Sequence, residues 1–313
     1  MAGAAAAGAL FSILAAWLWR SGRKRAIALG GAMLAAGAGG ANILLWLHDM
    51  AREEVAFASD GVRIEGTLML PSGVARPPVA VILHGSAPFA RDFYAVWARR
   101  LVADGIAVLV YDKRGTGRSA GNLPDENDDP QYLVQLGRDA AQAVAALSRH
   151  PRVDRNRISL VGISQGGWTG AVAASLRPDL FRIAFLSGPL ATTSQEGAFS
   201  AVTGERNGSR AADLLAIRKA DAAANAAPPD GFDPLPYLAA IDIPGRWYFG
   251  ERDRSVPVSI SKQRLARLAA LGRPVSIVEV RDGDHLLIDR SRLPIGFAPG
   301  VLPDLARWLA GES

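Results

Sequence analysis

The segment Val161-Gly162-Ile163-Ser164-Gln165-Gly166-Gly167 constrains the fold of this chain more than any other. It closes an apolar, β-branched run, Arg157 to Val161, and opens an Ala-rich stretch, Trp168 to Ser175, that reads as helix. A strand, Gly-x-Ser-x-Gly and a helix in immediate succession predict a sharp turn that strains the serine backbone and lifts its hydroxyl above a sheet. The positions flanking such a serine cannot carry bulk, and Gly162 and Gly166 meet that demand. Ser164 Oγ would then stand near the positive end of the helix that follows. A glycine-rich turn with an incidental serine would carry the same letters, so the remainder of the chain has to separate the two readings.

Taken in order, Val55–Phe57 and Val62–Leu70 flank Ser59-Asp60-Gly61 and predict a β-hairpin. Val79–Leu83 and Ile106–Tyr111 are continuously apolar, as strands buried on both faces of a parallel sheet are. Helical spacing runs over about 94–103, 132–149, 259–271 and 301–309, and further strands are predicted at 183–187, 246–249 and 275–280. Between the strands at 183–187 and 246–249 the alternation breaks. Residues of about 189–243 contain a helical patch, Ala211 to Ala224, then Pro-rich sequence, and an insertion of that length predicts a helical lid. Alternating β and α elements with buried strands predict a doubly wound, mostly parallel α/β sheet over residues 51–313.

Only four histidines are present, His48, His84, His150 and His285, so few groups compete for the role of general base. A serine hydroxyl needs a base to take its proton and a third group to orient that base. Ser164, Asp253 and His285 occur in the chain order expected when the turn comes first. Asp253 and His285 each follow a predicted strand, on the rim where polar groups gather in open α/β folds. Glu251 is a second candidate for the acid, and Asp253 could instead cap the helix beginning near Ser259. His48 and His150 lie beside an apolar stretch and at a helix end. His84 precedes a glycine at a strand end, where a structural hydrogen bond is expected. A developing oxyanion needs preorganised donors, each worth about 3 kcal/mol. The backbone N–H of Gln165 offers one, and the loop after Val79–Leu83 offers the second, best placed at Ser86.

The remaining composition narrows the alternatives. Absent cysteine excludes disulfides, thiolate metal sites and a cysteine nucleophile. The formal charge of +5 comes from scattered arginines with no aromatic-plus-basic module, against a nucleic-acid partner. Asp112–Ser119 is too scattered to be a phosphate-binding fingerprint, since no helix opens after it. Metal ligation has only Asp282, Asp284 and His285 to draw on, so neither a metal nor a cofactor is expected.

These motifs together resemble the α/β-hydrolase superfamily over about residues 55–311. Ser59-Asp60-Gly61-Val62-Arg63-Ile64-Glu65-Gly66-Thr67-Leu68, His84-Gly85-Ser86-Ala87-Pro88, Tyr111-Asp112-Lys113-Arg114-Gly115-Thr116-Gly117-Arg118-Ser119 and Gly162-Ile163-Ser164-Gln165-Gly166-Gly167 are similar to segments of bacterial carboxylesterases and related serine-peptidase-like hydrolases. The resemblance implies Ser164 as nucleophile, Asp253 and His285 as its partners, and Ser86 and Gln165 as oxyanion donors. His-Gly-Ser replaces the His-Gly-Gly-Gly of the hormone-sensitive-lipase type, and no propeller precedes the domain as in prolyl oligopeptidases. The activity implied is cleavage of a small-molecule carboxylic ester through an acyl-enzyme. Amide or thioester cleavage by the same three residues is the nearest alternative, and a tethered binding protein on an inactive fold is the alternative of another class.

Residues of about 2–19 and 26–47 are apolar and almost uncharged, with Arg20, Arg23, Lys24 and Arg25 between them and Trp17, Trp19 and Trp46 near their ends. As a helix, 26–47 would span roughly 33 Å, enough to cross a bilayer core. Residues 1–50 are therefore expected to form a transmembrane hairpin. With the basic loop cytoplasmic, the globular part would be periplasmic, on a bacterial inner membrane. Residues 48–54 read as a polar linker leading off the membrane.

Overall fold

The structure is a computed structural model that describes residues 50–124, 129–204, 209–292 and 296–312. The apolar stretches of about 2–19 and 26–47 lie outside the described residues. Among the described residues, no helix is long and apolar enough to cross a membrane.

A hairpin of β1 (Met50–Ser59) and β2 (Val62–Pro71) opens the fold. Its two-residue turn places both Asp60 (φ 46°) and Gly61 (φ 75°) in the left-handed region, which keeps the twist of the flanking strands. The pairing runs unbroken from Met50 with Pro71 to Ser59 with Val62. Residues 50–54 are thus strand and not the linker expected of their polarity. That polarity belongs to a sheet edge: exposed and half-buried positions alternate along β1, and charge on an edge strand discourages pairing with another chain. Glu54 accepts from Thr67 Oγ1 at 2.9 Å and from Arg91 Nη2 at 2.8 Å.

The rest is a wound α/β sheet. β3 (Val79–Leu83), β4 (Ala107–Tyr111), β5 (Ile158–Ile163), β6 (Arg182–Leu186), β7 (Gly245–Gly250) and β8 (Val275–Val280) join the hairpin in the order β1-β2-β4-β3-β5-β6-β7-β8. Pairing is antiparallel from β1 through β4 and parallel from there to β8. Every side chain of β3 and β4 is buried, because helices cover both faces. Successive residues of β3 feed opposite layers. Val79, Val81 and Leu83 belong to one buried cluster with residues of α2 (Pro130–Leu147), α3 (Gly166–Leu176) and α7 (Val258–Ala270). Ala80 and Ile82 belong to a second cluster with residues of α1 (Ala95–Ala103) and α8 (Val301–Ala310). Full burial of a Val or Ile contributes about 1.5–3 kcal/mol, so β3 is the axis of the core.

Among the described residues between β6 and β7 lie three helices, α4 (Thr193–Thr203), α5 (Arg210–Ala226) and α6 (Leu235–Ala239). The helical patch expected at 211–224 is α5; α4 escaped notice because its sequence is polar. A capping box between Thr192 and Gln195 starts α4, and Ser209 caps α5. A small two-stranded ladder of Ile288–Asp289 and Gly296–Phe297 follows β8.

Candidate active site

Ser164 occupies the turn between β5 and α3 at φ 53°, a left-handed conformation that a non-glycine residue adopts at a cost of about 1–3 kcal/mol. Three backbone hydrogen bonds fix that turn: Ser164 N–H to Leu186 O at 3.0 Å, Gly167 N–H to Ser164 O at 2.7 Å and Trp168 N–H to Gln165 O at 3.0 Å. The flanking glycines are there for space. A Cβ on Gly162 would lie 2.3 Å from Gly166 O, and one on Gly166 would lie 2.6 Å from Leu83 O.

His285 and Asp253 reach this serine from loops at the carboxyl ends of β8 and β7. The Ser164 hydroxyl donates to His285 Nε2 at 2.9 Å. The opposite nitrogen, Nδ1, lies 3.0 Å from both carboxylate oxygens of Asp253, which fixes the tautomer with the proton on Nδ1. Asp253 is 1% exposed and is itself held by the backbone N–H groups of Ser255 at 2.9 Å and Val256 at 3.1 Å. Burial disfavours the imidazolium of His285, but the charge and hydrogen bond of Asp253 outweigh it, aided by Asp284 and Glu196, and the His285 pKa is raised.

Glu251 does not join this chain of contacts. Its carboxylate pairs with Arg210 of α5 and accepts from Asp282 N–H at 3.2 Å. Asp284, also considered for a metal, accepts from Leu286 N–H, Ile288 N–H and Arg290 Nε. Among the described residues no cluster of three or more His, Asp and Glu side chains suits a metal ion.

The loop after β3 packs directly over the turn. A Cβ on Gly85 would sit 3.5 Å from Ser164 Cβ. Gly85 N–H donates to Tyr94 Oη at 2.9 Å, which commits that amide. Gln165 is the N-cap position of α3. His84 differs from expectation. Among the described residues neither of its ring nitrogens has a hydrogen-bond partner. The ring instead stacks on Tyr94 at 3.9 Å and lies 5.7 Å from Tyr111. Burial, then the charge of Lys113, holds its pKa down at about 3, so it stays neutral.

Several contacts here were not foreseen from the sequence. Lys113 Nζ donates to Gly85 O at 3.0 Å, to Ser86 O at 3.2 Å and to Gln165 Oε1 at 3.5 Å. The available signal was its position two residues past the end of a buried strand, on the same rim as His84. Asp213 of α5, fully buried, accepts from Arg252 Nη2 at 2.7 Å and Arg254 Nη1 at 3.0 Å. The two arginines flank Asp253 in sequence, so the inserted helix is tied to the loop that carries Asp253. No local pattern announces this pair of contacts.

A family model described as the alpha/beta hydrolase family matches residues 80–293. A thiohydrolase of Aspergillus aculeatus is 34% identical over 123 residues, 39% of this chain and 36% of the relative, so the chain matches little more than a third of that protein. The esterase Pf2001 of Pyrococcus furiosus superposes with a TM-score of 0.60 at 17% identity, over 84% of this chain and 93% of the esterase. An acylaminoacyl peptidase of Pyrococcus horikoshii superposes with a TM-score of 0.58 at 17% identity, over 78% of this chain and 39% of the peptidase.

Proposed function

This chain belongs to the alpha/beta hydrolase family, and from that premise we propose that it is a serine hydrolase cleaving carboxylic esters through an acyl-enzyme. One observation carries the proposal: the continuous run of hydrogen bonds from Ser164 Oγ through His285 to Asp253. In the first half-reaction Ser164 Oγ attacks the ester carbonyl carbon while its proton passes to His285 Nε2. Asp253 keeps the imidazole in its tautomer and stabilises the imidazolium that forms. The carbonyl oxygen, now negative, is met by the N–H groups of Gln165 and Ser86, assisted by the amino end of α3. Collapse expels the alcohol, which takes the proton from Nε2. In the second half-reaction Nε2 takes a proton from water, the hydroxide equivalent attacks the acyl carbon, and Ser164 leaves with its proton restored.

Thioester cleavage is the reading next in line, favoured by the thiohydrolase relative. The same residues serve it, since a thiolate is the easier leaving group. The helices α4–α6 act in either reading as a lid, and ester against thioester preference is set by the residues they present above Ser164.

The test is a panel of short-chain p-nitrophenyl esters, the corresponding N-acetylcysteamine thioesters and amino-acid p-nitroanilides. Esters should be turned over with a burst of one p-nitrophenol per active serine, and anilides far more slowly. Thioesters outrunning esters would transfer the proposal to the second reading. No turnover anywhere in the panel would leave an inactive binding protein.

Attachment to a membrane is proposed on hydropathy alone, from residues of about 2–19 and 26–47. Alkaline carbonate extraction of membranes from expressing cells should leave the full chain in the pellet. Release into the supernatant would refute the anchor.

A further inference from the structure

Lys113 has a place in the fold that its charge does not explain. It is 3% exposed, and among the described residues no carboxylate pairs with it. An unpaired ammonium in such a position is costly, and it persists only where other groups replace its hydration. Its three contacts are Gly85 O, Ser86 O and the side-chain carbonyl of Gln165. The first two belong to the loop after β3 and the third to the residue that follows Ser164. One buried cation therefore joins the two segments that supply the oxyanion donors.

The covalent geometry of the peptide gives these contacts a consequence. In a planar trans peptide the C=O of one residue and the N–H of the next lie in one plane and point in opposite directions. The carbonyl of Gly85 and the N–H of Ser86 belong to the same peptide. Pinning Gly85 O to Lys113 Nζ fixes the direction of the Ser86 N–H. A charged donor on that carbonyl also polarises the peptide, which makes its N–H a stronger donor. We propose that Lys113 is a positioning residue for catalysis, holding and polarising the Gly85–Ser86 peptide so that the Ser86 N–H binds the oxyanion. This rests on the reading of Ser164 as nucleophile.

Burial pushes the Lys113 pKa down to about 8. Below that value the ammonium supplies three donors and a charge; above it the neutral amine has two donors and a lone pair facing carbonyls, so oxyanion binding weakens as pH rises. The two titratable groups shifted by their burial against the loop, His84 and Tyr94, move away from that range in opposite directions. His84 is held at about 3. The Tyr94 phenol is pushed up by burial, against the hydrogen bond it takes from Gly85 N–H. The Asp112 carboxylate accepts from the backbone N–H groups of Arg91 at 2.8 Å and Arg118 at 2.9 Å. His285, whose pKa is raised from an ordinary histidine value, governs the acid side.

The experiment compares the full-length protein with Lys113→Met, using an alkyl trifluoromethyl ketone that adds to the serine and forms an oxyanion. Lys113→Met should lower kcat about 10- to 100-fold, less than outright loss of a donor, and raise the inhibition constant in parallel. KM should change less than about threefold, and fluorophosphonate should still label one serine per chain. In the unaltered protein the inhibition constant should rise with pH through about 8. Lys113→Met with unchanged kcat and inhibition constant would overturn the proposal. Should Lys113→Met not fold, Lys113→Gln, which keeps an N–H donor without the charge, is judged by the same two constants, and unchanged values there would overturn the proposal as well. Absence of fluorophosphonate labelling in the unaltered protein would instead undo the assignment of Ser164.

Discussion

Ser164 Oγ and His285 Nε2 stand 2.9 Å apart although 121 residues separate them in the chain. The distance is set by two independent pieces of backbone: the strained turn after β5 and the loop after β8. Neither adjusts freely, since Ser164 is pinned by Leu186 O and His285 by the Asp253 carboxylate.

The pH dependence follows from that pairing. His285 must be neutral to accept the serine proton. Burial lowers its pKa, Asp253 raises it, and the second effect prevails. The acid limb of kcat/KM should therefore lie above the ordinary histidine value, activity rising as pH climbs through it. Asp253→Asn should move that limb to lower pH and cut kcat by about 10⁴-fold. A limb that stays put in Asp253→Asn would show that another group orients the imidazole.

Glu251 and Asp253 are separable by the same assay. Glu251 answers to Arg210, so Glu251→Gln should keep kcat within about threefold. Asp213→Ala, by contrast, strands Arg252 and Arg254 without their buried acid. It should open Arg218 and Lys219 of α5 to trypsin and lower kcat through the displaced Asp253 loop. Equal proteolysis rates in the two variants would argue that α5 is held by other contacts.

Space around the turn gives a stability prediction. Gly162→Ala places a methyl 2.3 Å from Gly166 O and 2.7 Å from Phe185 Cδ1, and should destabilise the fold by about 3 kcal/mol or more. Gly85→Ala finds its nearest neighbour at 3.5 Å and should fold normally. Urea denaturation followed by tryptophan fluorescence distinguishes them; similar midpoints would contradict the packing described.

The Arg114–Asp139 pair supports the segment that carries Lys113. Arg114 donates to Asp139 at 2.8 and 2.5 Å, with the two side chains 4% and 0% exposed. Asp139→Asn removes one charge and leaves a buried guanidinium, at a cost of about 3–5 kcal/mol. A shift below about 1 kcal/mol in urea would place the pair in effective contact with water.

Much of this was readable from the letters, and the reasons are local. β3 and β4 are uniformly apolar, and β5 is so apart from Ser159, because both faces are covered, and the Asp60-Gly61 turn requires residues tolerant of positive φ. The positions of Ser164, Asp253 and His285 on one rim followed from each lying just past a strand. What escaped depends on contacts distant in sequence. The charges of β1 look like a linker until Met50 is seen to pair with Pro71. His84 reads as a hydrogen-bonding residue until Tyr94 is found stacked on it. Lys113 and Asp213 gain their meaning only from Gly85, Ser86, Arg252 and Arg254, which no periodicity connects to them.

The most direct measurement is covalent labelling of the purified protein with a fluorophosphonate, read by intact mass and peptide mapping. The account predicts one adduct per chain on Ser164, none in Ser164→Ala, which should also lose about 10⁶-fold in kcat, and greatly slowed labelling in His285→Ala. Labelling at another residue, or full ester turnover by Ser164→Ala, would contradict it.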